Sequence, residues 1–259
     1  MPSAVEPAQK VVVLLSGGVD STTVAALAVA QFGPEYVYPI GFYYGQKHEC
    51  ELTAAIQIAE KLDTPPYRRI AIPNIFRGAP GSRSTLTNDD VPNPETTYKE
   101  IAETQGVSPT YVPFRNGTML SLAAAYALTL GAVAIYYGAH AEDARNWAYP
   151  DCTPEFNGSM ASAIFVGTYF KVRLCTPLQW LMKTDVVEMA HRLGAPLDLT
   201  YSCYNGRVRH CGKCPTCVER IHAFQEAGYI DPVSYEIDIE WKGPILPWKL
   251  SMPTKGVYL

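Results

Sequence analysis

The chain has 259 residues, 47% hydrophobic and 18% charged, a composition that excludes a disordered or fibrous protein. Lys+Arg 21 against Asp+Glu 25 gives −4, which argues against the broad basic field of a non-specific nucleic-acid binder. No apolar run is long enough to span a bilayer, and the N-terminal residues lack the pattern of a secretory signal. A cytoplasmic protein with reduced cysteines and no nucleic-acid or membrane partner is therefore expected.

The run Val11-Val12-Val13-Leu14-Leu15 suits a strand covered on both faces. It ends in Ser16-Gly17-Gly18-Val19-Asp20-Ser21-Thr22-Thr23, and an alanine-rich stretch, Val24 to Ala30, follows with a Gly33-Pro34 stop. That order reads strand, glycine turn, helix. Tyr36 to Tyr44 predicts a second strand. Between Lys47 and Asp63, the residues Leu52, Ala55, Ile56, Ala59 and Leu62 form one helical stripe. Tyr67 to Ile72 predicts a third strand. Pro73 to Pro113 is polar and rich in Gly and Pro, a long functional loop with a short helix around Tyr98 to Thr104.

Gly117 to Leu130 is apolar nearly all round and predicts a buried helix. Ala132 to Tyr137 is a fourth strand and Lys171 to Cys175 a fifth, with helices over Glu155 to Thr168 and Thr184 to Leu193. Alternating strands and helices predict an α/β fold with a doubly wound parallel sheet. The expected organisation is an α/β domain over 1–200 and a cysteine-rich region with a C-terminal tail over 201–259.

The glycine turn suits an anion. Two glycines let the backbone approach closely, and the N–H groups of the turn and helix start point at the ligand. Ser16, Ser21 and Thr22 add hydroxyls. The spacing matches neither a Walker motif nor a dinucleotide fingerprint. The plain alternative is a strand-to-helix turn with Asp20 as a helix cap.

Four of the seven cysteines, Cys203, Cys211, Cys214 and Cys217, follow a C-x7-C-x2-C-x2-C spacing. Four thiolates fit a closed tetrahedral Zn2+ site. Iron–sulfur ligation is the rival reading, and disulfides fit the expected compartment poorly. His210 and His222 lie near, but four cysteines already complete a set. Cys50 and Cys175 read as small buried hydrophobes. Cys152 sits in a loop after the fourth strand, where such sheets carry functional loops.

Ser-Gly-Gly-x-Asp-Ser resembles the PP-loop of the Rossmann-like ATP pyrophosphatases, which adenylate a substrate oxygen and release pyrophosphate. Further strings narrow the resemblance. They are Tyr44-Gly45-Gln46-Lys47-His48, Val112-Pro113-Phe114-Arg115-Asn116, Tyr149-Pro150-Asp151-Cys152 and Thr176-Pro177-Leu178 with Lys183. With the four cysteines, they look like the 7-cyano-7-deazaguanine synthases of the queuosine pathway.

The resemblance implies conversion of 7-carboxy-7-deazaguanine and ammonia to the nitrile, with ATP, Mg2+ and Zn2+ as cofactors and a homodimer as the assembly. It implies that Leu15, the Ser16–Thr23 string, Val24 and Ala25 bind ATP, with Asp20 near Mg2+. Arg115 and Asn116 would line the nucleotide side, and Lys183 would balance phosphate charge. Tyr149, Asp151 and Glu155 would meet the deazaguanine, because a carboxylate matches its guanidine-like edge. For Arg115 the alternative is a surface salt bridge, for Lys183 a solvent-facing helix start, and for Asp151 and Glu155 a helix cap.

The chain departs from the family pattern after the fourth strand. His140 stands where Asn is usual, and Ala144 to Ala148 replaces Tyr-Ser-Gly with two extra residues. Thr85 to Ser108 is longer than usual. Trp147 and Tyr149 are candidates to stack on the base, and His140 to shuttle a proton; a buried Trp147 and a structural His140 are the alternative. A relative that stops at the amide, or a PP-loop enzyme of tRNA, are the competing functions.

Overall fold

The computed structural model describes residues 9–47, 49–72, 75–76, 84–88, 90–95, 97, 100, 103, 107–242 and 246–247. Strands β1 (Val11–Leu14), β2 (Val37–Tyr43), β3 (Arg68–Ala71), β4 (Ala134–Tyr136) and β5 (Arg173–Cys175) form one sheet in the order β3-β2-β1-β4-β5. Every pair is parallel, with Val11 opposite Val37 on one side and Ala134 on the other. The chain winds outward from β1 to β3, then crosses back to β4. The switch point therefore lies between β1 and β4, where open α/β sheets bind ligands beyond the strand ends.

Alternation along β1 builds two cores. Val11, Val13 and Leu15 face one cluster with α1 (Val19–Phe32), α2 (Cys50–Lys61), α6 (Lys183–Leu193) and α7 (Pro215–Glu226). Naming the helices between, α3 spans Arg115–Leu130, α4 is the single turn Ala141–Ala144, and α5 spans Pro154–Gly167. Val12 and Leu14 face the second cluster, with Leu120, Ala123 and Ala127 of α3 and Ile164 of α5. Side chains on successive strand residues point to opposite faces, so an unbroken apolar run is what a doubly covered strand requires.

Helix α3 corrects one expectation. It is not buried all round: Leu122 and Leu128 are 36% and 37% exposed. Only one stripe, Leu120-Ala123-Ala124-Ala127, meets the sheet, because a single layer of helices covers this face. The segment Tyr98 to Thr104 lies largely outside the described residues, as does His48.

After residue 200 the chain gathers around Cys203, Cys211, Cys214, Cys217, Ile221 and Tyr235. Two short parallel strands, β6 (Tyr229–Ile230) and β7 (Leu246–Pro247), follow. Helix α7 joins the two regions, since its Ala223 and Phe224 belong to the main core while Ile221 belongs to the cysteine cluster. No helix among the described residues is long and apolar enough to cross a membrane.

Candidate active site and metal centre

The glycine turn lies at the carboxyl end of β1. Gly17 has φ +95°, and a Cβ there would collide with the backbone carbonyl of Glu51. Only glycine allows the first turn of α2 to sit this close. The Ser16 N–H donates to Ser21 Oγ at 3.1 Å, which fixes the curl of the turn. The Thr22 hydroxyl donates to the Gly18 carbonyl at 2.7 Å and that of Thr23 to the Val19 carbonyl at 2.8 Å. Both threonines are fully buried, and Val24 and Ala25 belong to the core. The surface offered to a ligand is therefore Leu15, Ser16, Gly18, Val19, Asp20 and Ser21, which line a cavity of about 280 Å3.

Asp20 projects from the first turn of α1 and meets Lys183, the first residue of α6. Lys183 Nζ donates to Asp20 Oδ2 at 2.6 Å. Burial alone would raise the Asp20 pKa, but Lys183 and His140 outweigh it and hold the carboxyl below its ordinary 3.8. Burial likewise works against the lysine charge, but Asp20, Glu219 and Asp143 keep Lys183 well above its usual range. Asp20 Oδ1 is buried and has no partner. An orphaned carboxylate oxygen beside an anion-binding turn is the kind of ligand atom Mg2+ takes together with phosphate oxygens.

His140 backs this pair. Its Nδ1 accepts the Glu142 N–H at 3.3 Å, and its Nε2 lies 3.4 Å from Asp143 Oδ2, 3.4 Å from Lys183 Nζ and 3.9 Å from Asp20 Oδ2. Glu219 of α7 lies 3.7 Å from Lys183 Nζ, and burial pushes its carboxyl up to about 7 despite the lysine.

Arg115 starts α3 on another wall of the same cavity and donates to the Tyr44 hydroxyl at 2.9 Å. Burial opposes its charge, while Tyr44 and Asp151 hold it protonated. The next residue, Asn116, gives its backbone N–H to Asp151 Oδ2 at 3.0 Å. Asp151 thus satisfies one of the free N–H groups at the start of α3, whose own N-cap residue, Phe114, makes no side-chain bond.

The four cysteine Sγ atoms all lie within 4.8 Å of one another, and each residue is buried. A tetrahedral ion with bonds of about 2.3 Å needs sulfurs near 3.8 Å apart, so small adjustments close the site. Backbone N–H groups of Asn205 and Cys211 donate to Cys203 Sγ at 3.4 Å, and those of Lys213 and Cys214 to Cys211 Sγ at 3.4 and 3.3 Å. Such donors favour thiolates and orient the ligands. The donor set fits a closed, structural ion. All seven cysteines are free of disulfides.

The cysteine cluster and the cavity share a wall. Tyr201, Ser202, Cys203 and Tyr204 line the cavity, and the Tyr201 N–H donates to the Gly17 carbonyl at 2.9 Å. The loop that carries Cys203 is therefore stitched to the glycine turn.

A family model described as queuosine biosynthesis protein QueC matches residues 10–228. The chain belongs to that family. It is 42% identical to the 7-cyano-7-deazaguanine synthase of Caldicellulosiruptor bescii over 90% of this chain and 100% of that one. It is also 42% identical to the enzyme of the same name from Picrophilus torridus, over 88% of this chain and 92% of that one. A solved NMN synthetase from Francisella tularensis is similar over 76% of this chain and 66% of its own, at 19% identity and a TM-score of 0.41.

Within this QueC-family chain, the geometry brings together the glycine turn, Asp20, Lys183, His140, Arg115 and Tyr149, although the His140 ring sits behind the Asp20–Lys183 pair. Asn116 and Cys152 reach the cavity too. Trp147, Asp151 and Glu155 are not among the residues that line it. Trp147 is 58% exposed, and Asp151 is buried against α3. The Tyr149 hydroxyl bonds Ser108 at 3.1 Å and also meets Thr110, which pins the end of the long loop to the segment after β4. Cys152 accepts from Asn116 Nδ2 at 3.2 Å, and burial raises its thiol far above the range of a nucleophile.

Glu51, Asp143 and Glu219 were not singled out by their sequence. Glu51 stands in the first turn of a helix, where an acidic residue is unremarkable. Glu219 falls two places after a cysteine ligand, a spacing that signals nothing about a lysine 36 residues earlier in the chain.

Proposed function

We propose that the chain is a 7-cyano-7-deazaguanine synthase, an ATP-dependent ligase that forms C–N bonds. The observation that carries this reading is the meeting, in one cavity, of the glycine turn with an Asp20–Lys183 pair whose Asp20 keeps one oxygen unpartnered. The curated synthases of that name, matched over nearly their whole length, supply the substrate.

The chemistry follows from the weakness of a carboxylate as an electrophile. A carboxylate oxygen of 7-carboxy-7-deazaguanine attacks the α-phosphorus of ATP, and pyrophosphate leaves. Ammonia then displaces AMP from the acyl carbon, loses a proton and gives the amide. The amide oxygen attacks the α-phosphorus of a second ATP, pyrophosphate leaves, and loss of AMP with two N–H protons gives the nitrile. Both carboxylate oxygens depart on AMP.

The backbone N–H groups around Gly18 and Val19 receive phosphate oxygens. Lys183 neutralises charge on the same group, held in place by Asp20 and Glu219. Mg2+, taken by Asp20 and the phosphates, would supply further charge neutralisation. Arg115 and Asn116 line the nucleotide side, and Tyr149 the substrate side. Asp151 and Glu155 were expected at the base edge, and the bond of Asp151 to Asn116 supports a capping role for it instead. Zn2+ on the four cysteines would fix the 201–204 wall.

The altered loop from His140 to Ala148 favours one second reading, in which the product is the amide. A cytoplasmic enzyme that works as a homodimer completes the proposal. Val166, Tyr169 and Phe170, 62%, 80% and 65% exposed at the end of α5, support an apolar contact between copies.

The test is incubation with ATP, Mg2+, ammonia and 7-carboxy-7-deazaguanine, with products identified by mass. Nitrile with AMP and pyrophosphate is expected. Amide alone selects the second reading, and ADP with phosphate sinks both.

A further inference from the structure

Three carboxylates line the main cavity among the described residues: Asp20, Asp143 and Glu51. Two have partners already, since Asp20 holds Lys183 and Asp143 faces His140. Among the described residues, Glu51 has neither a hydrogen bond nor an ion pair. Arg115 and Tyr44 stand near enough to feel its charge, but Arg115 gives its hydrogen bond to the Tyr44 hydroxyl. Burial pushes the Glu51 carboxyl up to about 7, with Arg115 pulling the other way. The Glu51 carboxylate, half-buried and facing an aromatic cavity without a protein donor, is free to accept donors that a ligand supplies.

We propose that Glu51 is the specificity-determining carboxylate of the cavity and receives the paired N–H donors on the pyrimidinone edge of the deazaguanine substrate. The proposal rests on the synthase reading above. It moves to Glu51 the carboxylate role that the family resemblance implies for Asp151 and Glu155.

Geometry supports this choice over the nucleotide. The deazaguanine presents N1–H and the 2-amino N–H side by side, which matches the two oxygens of one carboxylate. Adenine presents a single amino group next to an acceptor nitrogen, which a carboxylate repels. Phosphates repel it too. The backbone of Glu51 abuts Gly17, so its side chain is rooted beside the glycine turn. A base held at Glu51 therefore lies in the same cavity that the glycine turn lines. Tyr44, Tyr201 and Tyr204 line the same cavity and give a flat bicyclic ring aromatic surroundings.

The experiment compares the parent protein and Glu51→Gln, which keeps side-chain shape, with two bases: 7-carboxy-7-deazaguanine and its analogue without the 2-amino group. Affinity for each base is measured by calorimetry without ATP, and KM for base and ATP by pyrophosphate release. The parent should bind the analogue about 10- to 100-fold more weakly than the substrate. Glu51→Gln should raise KM for the substrate by a similar factor, leave KM for ATP within about twofold, and no longer distinguish the two bases.

A parent that does not discriminate overturns the proposal without any variant. So does a Glu51→Gln protein whose KM rises for ATP and not for the base, which assigns Glu51 to the nucleotide. Discrimination that persists unchanged in Glu51→Gln also overturns it, while leaving the synthase reading intact. A parent that neither binds nor turns over 7-carboxy-7-deazaguanine overturns both.

Discussion

Helices α5 and α7 begin alike, each with a proline in its first turn, and differ in the residue before it. In α5 that residue is Thr153, whose hydroxyl accepts the Phe156 N–H at 3.2 Å. In α7 it is Cys214, whose side chain makes no capping bond and belongs to the four-sulfur cluster. The same contrast runs through the two regions. The sheet region is held by apolar residues summed over two faces, with ordinary caps and turns at the edges. The region after residue 200 has a small apolar cluster, and its turns point sulfurs inward. The first region distributes its stability over many contacts, and the second concentrates it in a few. Because the second supplies the 201–204 wall, the site depends on both.

Metal removal should separate the regions most sharply. Chelation should cost on the order of 10 kcal/mol of local binding energy and release the cysteine-rich region first. Hydrogen exchange should show fast amides at Cys203, Cys211 and Cys217, with Val12 and Ala26 still protected. Pyrophosphate release should fall with them, through the lost Tyr201–Gly17 bond. Elemental analysis should return one zinc per chain; iron with sulfide would replace zinc in this picture.

The opposite case is a change that removes activity and spares the fold. Asp20→Ala should reduce pyrophosphate release by about 10^3-fold or more, roughly 4 kcal/mol of barrier. Its melting temperature should stay within a few degrees of the parent's, because Lys183 keeps Glu219 as a partner. The pH dependence has a definite sign. The Asp20 pKa is lowered from 3.8, so its pair with Lys183 is complete above that value and is lost only as pH falls below it. Between about pH 8 and pH 5 the rate should not follow Asp20 protonation, which a pH–rate profile checks. Normal turnover by Asp20→Ala would remove the site assignment altogether.

Arg220 tests whether the metal acts alone. It lies 1% exposed at the hinge between the regions, donating to Asp231 at 2.6 and 2.9 Å and to Thr200 at 2.8 Å. Arg220→Met leaves a fully buried carboxylate without its partner and should cost about 3–5 kcal/mol. Adding Asp231→Asn should recover part of that loss. Denaturant titration of metal-loaded protein measures both. A negligible effect of Arg220→Met would mean that the cluster holds the region unaided.

The sheet was legible because its signals are local. An unbroken β-branched run, a glycine turn and a 3.6-residue stripe each announce an element, and alternation of elements announces the winding. The cysteine set was legible for the same reason, since its spacing fits one turn per pair of sulfurs. What was not legible is carried by contacts across long stretches of chain. No local pattern marks Arg220 and Asp231 as a buried pair, Glu51 as a cavity carboxylate, or Tyr201 as the residue whose N–H meets the Gly17 carbonyl. The exposure of Leu122 and Leu128 was missed because composition records how apolar a helix is, not how many layers cover it. Asp151, expected at the base, lies instead against the start of α3, which sequence spacing between residues 116 and 151 does not reveal.

The smallest expected effect returns to the two helix starts. Thr153→Ala removes a hydroxyl that accepts the Phe156 N–H in the first turn of α5, and Pro154 remains to favour that turn. The loss should be about 1 kcal/mol, the usual cost of a missing cap, or about 2–4 °C in melting temperature for a chain of this size. The informative quantity is its dependence on metal. Thr153 lies with α5 on the sheet face opposite α6 and α7, so the shift should be the same in metal-loaded and chelated protein. Cys214→Ser is the counterpart. It restores a capping oxygen to α7 while deleting a ligand, and it should cost several-fold more than Thr153→Ala, with most of that difference vanishing once metal is removed. Equal and metal-independent shifts for the two variants, measured by calorimetric melting, would show that the cysteine region is held by caps and packing like the sheet, and that the contrast between the two helix starts has no energetic content.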